Sequence, residues 1–265
     1  MRIKSAIVMA AVLLNVGGQC PLYAMVGGSA VTGDDTFSRH LVGIVDPVHG
    51  SVCTGTMIRQ DVVLTAAHCF DGSRRAENYV AVFGLSLDPK RGAKAVRVEA
   101  IRIPPSYDPD KNRRRSSYDI ALLKLAGKAP PGYVPATVGS KTDYFLSEDE
   151  IYIAAGYGNT SNLARDPGLL RKLVTPGKKL FVKGGCRLIE LHQLGAGPCR
   201  GDSGSPLFKL TTDAAGSVSY TVIGVQSQAV QRVVNGKFVA EICEDIGLYT
   251  NVPPYRGWIE ENSEF

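Results

Sequence analysis

The sequence predicts an all-β fold, on three observations. Its apolar runs are short and rich in β-branched and aromatic residues: Val62-Val63-Leu64, Val80-Ala81-Val82-Phe83, Ala95-Val96-Arg97-Val98 and Ile151-Tyr152-Ile153. Gly, Pro and Asn cut these runs off at strand-like lengths, and 29 glycines supply ample turn material. The 3.6-residue spacing that marks amphipathic helices is scarce. At 265 residues the chain is long enough for one large domain, or for two small lobes that share a core. A formal net charge of +5 is mild for this length and gives no reason to expect nucleic acid as a partner.

In chain order, residues 1–24 read as a secretory signal. Arg2 and Lys4 make a basic start, residues 7–16 form an apolar segment too short to span a bilayer, and Leu22-Tyr23-Ala24 is an acceptable cleavage site. The expectation is a chain beginning at Met25, secreted or periplasmic, with no stable membrane span. Thr65-Ala66-Ala67-His68-Cys69 follows an apolar run, which places His68 at the end of a strand. Lys111-Asn112-Arg113-Arg114-Arg115 is the one dense basic cluster and reads first as a solvated loop. Its sharper readings are acidic substrates, an anionic surface or a nicking site. Asp119 opens the strand-like run Ile120-Ala121-Leu122-Leu123.

The stretch Cys199-Arg200-Gly201-Asp202-Ser203-Gly204-Ser205-Pro206 sets a hydroxyl nucleophile among small residues. A serine hydroxyl is weak until a neighbouring base takes its proton. Glycines let the backbone turn sharply and let a substrate approach. The N–H groups of Gly201 and Ser203 could converge to hold an oxyanion. Gly-Asp-Ser-Gly alone is ordinary turn composition. The base His68 and the carboxylate Asp119 upstream are what give it meaning.

His68, Asp119 and Ser203, in this order and in these local contexts, resemble the trypsin/chymotrypsin family of serine endopeptidases, from Met25 to the end of the chain. The resemblance implies two six-stranded antiparallel β-barrels with the active site between them and a C-terminal helix. A single protease domain over 25–265 would divide into lobes of about 25–130 and 131–265, joined by the Pro-rich stretch 126–145. Ser203 would attack a carbonyl, His68 take its proton, Asp119 orient the histidine, and the Gly201 and Ser203 N–H groups hold the oxyanion. His40 and His49 fall at no catalytic position of the family and are expected to be surface or hydrogen-bonded histidines. Met25-Val26-Gly27-Gly28 looks like the start of an activated member, whose free amine pairs with the acid before the serine, here Asp202. No Arg or Lys precedes Met25, so signal cleavage itself would create that amine without a separate zymogen step.

The family places the floor of its substrate pocket six residues before the serine, at Gly197, where trypsin-type members carry Asp. Pro198, Ser227, Gln228, Ala229 and Gly247 would line the rest, with Gln228 where the family usually has Trp. An open, weakly polar pocket favouring large apolar side chains follows, unless Glu244 and Asp245 reach in and restore a basic preference. Ser227 would hydrogen-bond Asp119, and the backbone of 227–229 would pair with an extended substrate. Cys53–Cys69 and Cys199–Cys243 match family disulfides, in agreement with an oxidising compartment. Cys186 is left odd: buried and free, bonded between molecules, or bonded to Cys20 if cleavage falls earlier. Asn235-Gly236 reads as the turn of a hairpin in a long 230–242 segment. Tyr255, Trp258 and Ile259 match the C-terminal helix, expected on the second lobe. The implied partners are protein or peptide substrates and protein inhibitors of a monomer, with no metal or organic cofactor. The other class of function is a binding or adhesion protein on the same fold. Such relatives usually lose a triad residue, and all three are retained here.

Overall fold

The computed structural model describes residues 25–110, 112, 113 and 117–265. The expected signal at 1–24, and Lys111, Arg114 and Arg115 of the basic cluster, lie outside the described residues. Six strands close a barrel: β1 (Leu41–Asp46), β2 (Ser51–Arg59), β3 (Val62–Thr65), β4 (Val80–Phe83), β5 (Lys94–Arg102) and β6 (Ala121–Leu125). The pairing runs β1-β2-β3-β6-β5-β4, and β4 returns onto β1 through Gly43↔Val82 and Val45↔Val80.

The second half forms β7 (Ile151–Gly156), β8 (Arg171–Pro176), β9 (Leu180–Lys183), β10 (Leu188–His192), β11 (Pro206–Thr212), β12 (Val218–Val230) and β13 (Ile246–Asn251). These pair in the order β8-β7-β11-β12-β13-β10-β9, and the short strand Ser29–Ala30 adds to the outer edge of β8. The sheet curls, but it differs from the expected second barrel in staying open between β8 and β9. Pro176 ends β8 without an N–H to donate, and the 3-10 turn Gly177–Lys179 then carries the chain round a corner instead of into a ladder. Asn235 and Gly236, both with positive φ, turn the expected hairpin between Val233–Val234 and Lys237–Phe238.

Strands that separate the two halves are apolar on both faces, because both faces are covered. In β6, Ala121, Leu123 and Leu125 fill the barrel with Val42, Met57, Val63 and Phe83, while Leu122 points the other way. In β7, Tyr152 and Ala154 pack under the curled sheet with Leu173, Ile189, Leu207 and Tyr249. Ile153 and Ala155 join Leu122, Leu64, Ile120, Phe208 and Val225 in a third core between the halves. Helix α1 (Arg256–Asn262) buries Ile259 in that same middle core. It was expected on the second lobe, yet its far end is tied to the first: the Arg102 guanidinium of β5 donates to the Asn262 and Glu264 carbonyls at 2.9 and 2.7 Å. The end of a helix leaves carbonyls without partners, and a barrel arginine supplies the donors.

Leu122 is fully buried between the halves. Leu122→Ala should cost roughly 2–5 kcal/mol of stability, read from the urea midpoint. A loss of under about 1 kcal/mol would mean the halves do not depend on this contact.

Candidate active site

Asp119 sits just ahead of β6 and is 0% exposed. Its Oδ1 accepts the His68 main-chain N–H at 2.9 Å, and its Oδ2 lies 2.8 Å from His68 Nδ1. The Ser227 hydroxyl donates to the same Oδ2 at 2.5 Å. Burial works to raise this carboxyl, but the facing His68 charge and the hydrogen bonds from His68 and Ser227 hold it below its usual range. Ser227 reaches Asp119 because of a register shift in the β12–β13 ladder: Gln226 faces Tyr249 and Gln228 faces Leu248, leaving Ser227 as the extra residue. A bulge of this kind re-aims one side chain.

His68 lies in the 3-10 turn Ala67–Phe70 that ends β3, and the next residue, Cys69, is disulfide-bonded to Cys53 of β2. Its other ring nitrogen, Nε2, lies 2.8 Å from Ser203 Oγ. Asp119, His68 and Ser203 thus form one continuous hydrogen-bonded relay, assembled from both halves of the molecule.

The Ser203 loop is anchored to the first barrel by residues that sequence reading passed over. The Thr54 N–H donates to the Ser203 carbonyl at 2.8 Å, and the Thr54 hydroxyl donates to the Gly201 carbonyl at 3.1 Å. Thr65 in turn donates its hydroxyl to the Thr54 carbonyl at 2.8 Å. Gly204 (φ +81°) crosses so close to β3 that a Cβ there would lie 2.0 Å from Thr65 Oγ1. For Thr65 the available signal was a hydroxyl residue closing an otherwise apolar strand; Thr54 lies in a strand that also holds Ser51 and Thr56, and nothing local singles it out. Gly201 (φ +98°) packs against Gly158, leaving no room for a side chain. Neither the Gly201 nor the Ser203 N–H donates to an acceptor among the described residues, so both remain available to an anion.

Asp202 is fully buried, and its carboxylate accepts the N–H groups of Gly158 at 2.8 Å and Cys199 at 2.9 Å. Burial pushes this carboxyl up to about 7, against those two donors. Among the described residues it has no ion-pair partner. Met25 is buried in the core of the curled sheet, and the Gly197 N–H donates to the Val26 carbonyl at 2.9 Å.

A cavity of about 380 Å³ opens at Ser203 and His68. Ser227, Gln228 and Ala229 line it, together with Asn162, Ile242 and the Cys199–Cys243 disulfide. Gly197, Pro198 and Gly247 do not line it. Pro198 packs on Gly247 instead, where a Cβ would come within 2.8 Å of its ring, and a Cβ at Gly197 would come within 2.9 Å of the Cys243 carbonyl. No carboxylate lines the cavity. Asp245, considered as a floor acid, is buried and ion-paired to the Arg232 guanidinium at 2.6 Å. Glu244 borders a different concavity. Cys186, the odd cysteine, is free and exposed rather than buried. His40 and His49 are hydrogen-bonded, to the Val134 carbonyl at 2.8 Å and to Asp46 at 2.7 Å. In the basic cluster, Arg113 pairs with Asp108 and Asp110 at 3.2 and 3.3 Å. Among the described residues, no group of three or more His, Cys, Asp or Glu could hold a metal ion, and no helix is long and apolar enough to cross a membrane.

The family model described as Trypsin matches residues 26–259. The chain belongs to the trypsin family of serine endopeptidases. It is 30% identical over 170 residues to a trypsin of Simulium vittatum, covering 58% of this chain and 65% of that one. It is 27% identical over 220 residues to chymotrypsin-like elastase family member 1 of Macaca fascicularis, covering 79% and 77%. It is 29% identical over 225 residues to the atrial natriuretic peptide-converting enzyme of Mus musculus, covering 80% of this chain and 19% of that protein. The chain therefore spans just under two thirds of the first of these relatives and a fifth of the third.

The carboxyl of Asp202 titrates at about 7 in the fold, against 3.8 for an ordinary aspartate. The folded state holds this proton more tightly, so the stabilisation is complete below pH 3.8, fades as pH rises, and is lost above about 7. Asp202→Asn stays neutral throughout. In protein whose chain continues upstream of Met25, Asp202→Asn should gain stability relative to Asp202 between pH 4 and 8. Urea midpoints across that range test this, and a constant difference would show that no ionisation of Asp202 is involved.

Proposed function

We propose that this chain hydrolyses peptide bonds in proteins or peptides through an acyl-enzyme on Ser203. The observation that carries the reading is the unbroken relay from Asp119 through His68 to Ser203, at 2.8 Å on each side of the imidazole. His68 takes the Ser203 proton as the hydroxyl attacks the carbonyl, and Asp119 fixes the tautomer and stabilises the imidazolium. The Gly201 and Ser203 N–H groups receive the oxyanion, an interaction worth about 10²–10³ in rate per donor. His68 then protonates the leaving amine, and the neutral imidazole takes a proton from an incoming water as that water attacks the acyl carbonyl, returning it to Ser203 Oγ as the ester bond breaks. Beyond Gln226, no strand among the described residues pairs with β12 on its β11 side, which leaves 227–229 open to an extended substrate. The residue before the cut enters the cavity lined by Ala229, Ile242 and the Cys199–Cys243 disulfide. With no carboxylate lining that cavity, an apolar side chain is favoured over Lys or Arg.

The reading extends to activation and location. In protein cleaved before Met25, the new ammonium neutralises Asp202 and fixes the loop that carries Gly201 and Ser203. Two features support this: Met25 is already buried in the second half, and Asp202 is a buried acid with no cation among the described residues. Two disulfides and the signal-like residues 1–24 favour an extracytoplasmic site of action.

Incubated with a diverse peptide library, protein beginning at Met25 should cut, and Ser203→Ala should lose roughly 10⁶ in turnover. Equal cutting by both would remove Ser203 from the mechanism. Mass spectrometry of the secreted protein should find Met25 as its first residue. Adding two residues ahead of Met25 should lower kcat/KM at least tenfold, since one lost buried ion pair is worth about 3–5 kcal/mol. Full activity in the extended form would refute the role of the amine.

A further inference from the structure

A second and larger concavity, about 620 Å³, opens beside the Ser203 loop on the side away from 227–229. One wall is Val52, the neighbour of the Cys53 that is bonded to Cys69 under His68. The other wall is the loop 159–167, which contributes Leu163 and Arg165, and Asn162 and Arg200 line both this concavity and the cavity at Ser203. If the acyl side of a substrate runs along 227–229, the chain that follows the cut must leave through this groove.

The loop is held in one shape by its own hydrogen bonds. The Asn159 amide donates to the Ala164 carbonyl at 2.5 Å, the Ala164 N–H to Ser161 Oγ at 3.0 Å, and the Gly168 N–H to the Tyr157 carbonyl at 2.7 Å. Its one acid, Asp166, accepts the Thr160 N–H and hydroxyl at 3.0 and 2.6 Å and does not line the groove. Glu241 accepts weakly from Asn162 at 3.5 Å and borders a different concavity. Arg165 and Arg200 are both exposed, and neither has an ion-pair partner among the described residues. No carboxylate lines the groove. Two guanidiniums therefore flank a built channel with no internal counter-charge. A guanidinium presents a planar fork that matches a carboxylate.

We propose that Arg165 and Arg200 make this enzyme prefer Asp or Glu at the first or second position after the cleaved bond. The proposal rests on the peptidase reading above. Pairs at exposed sites are individually modest and screened by salt, so the preference should be a graded one that reverses with the charge of the loop.

The test compares full protein beginning at Met25 with its Arg165→Glu and Arg200→Glu variants on a diverse peptide library. Cut sites are read by mass spectrometry. The measure is the ratio of acidic to basic residues at the two positions after each cut, relative to the library. Wild type should show a ratio well above one, Arg165→Glu should lower it on the order of tenfold, and about 1 M salt should bring the wild-type ratio toward one. A wild-type ratio near one, or a ratio that neither variant moves, overturns the proposal. If wild type cuts nothing, the peptidase reading fails and takes the proposal with it. If one variant fails to fold and cuts nothing, the ratio from the other variant and the salt series decides.

Discussion

The carboxylate of Asp119 is the point on which the two halves of this molecule depend. A charge removed from water is tolerable only where donors surround it. Among its donors are His68, from the first barrel, and Ser227, from the curled sheet. The Asp119 carbonyl also accepts the Thr250 hydroxyl of β13 at 3.3 Å. Neither half alone could keep this group dry and satisfied. Docking the halves and assembling the relay are therefore one physical requirement, and the apolar core of Leu64, Ile120, Leu122, Ile153 and Phe208 supplies the area that holds them there.

The same constraint appears in the backbone around Asp202. Added Cβ atoms at Gly156 and Gly158 would come within 2.3 and 2.4 Å of its carboxyl group. Bare backbone is the only structure that fits, and bare backbone also brings the Gly158 N–H to the carboxylate. The loop before Ser203 is thus shaped by absent side chains as much as by present ones. That shape leaves the Gly201 and Ser203 N–H groups without acceptors among the described residues.

The parts of the fold and site that were legible in the sequence are those that leave a local signature. Strand runs such as 80–83 and 151–153 were read from β-branched and aromatic content, and the Asn235-Gly236 turn from its dipeptide. The placement of Asp119, His68 and Ser203 was read from motif order and context. What stayed hidden depends on partners distant in sequence. Thr54 and Thr65 look like ordinary strand residues until the Ser203 loop is laid across them. Pro198 and Gly247 read as pocket walls, but they pack on each other and do not line the cavity. Asp245 reads as a free acid until Arg232, 13 residues earlier, closes on it. The open seam between β8 and β9 turns on a ladder that does not form, and no local pattern announces a missing pairing.

The unequal closure of the two sheets also bears on how this protein meets other copies of itself when concentrated. A ring of strands offers no unpaired backbone on which another chain could grow. The curled sheet has two ends, and Ser29–Ala30 covers one of them. The other, β9, is four residues long, follows Lys178 and Lys179, and finishes on Lys183. A short ribbon edged with like charges repels its own image, which works against edge-to-edge growth of this sheet.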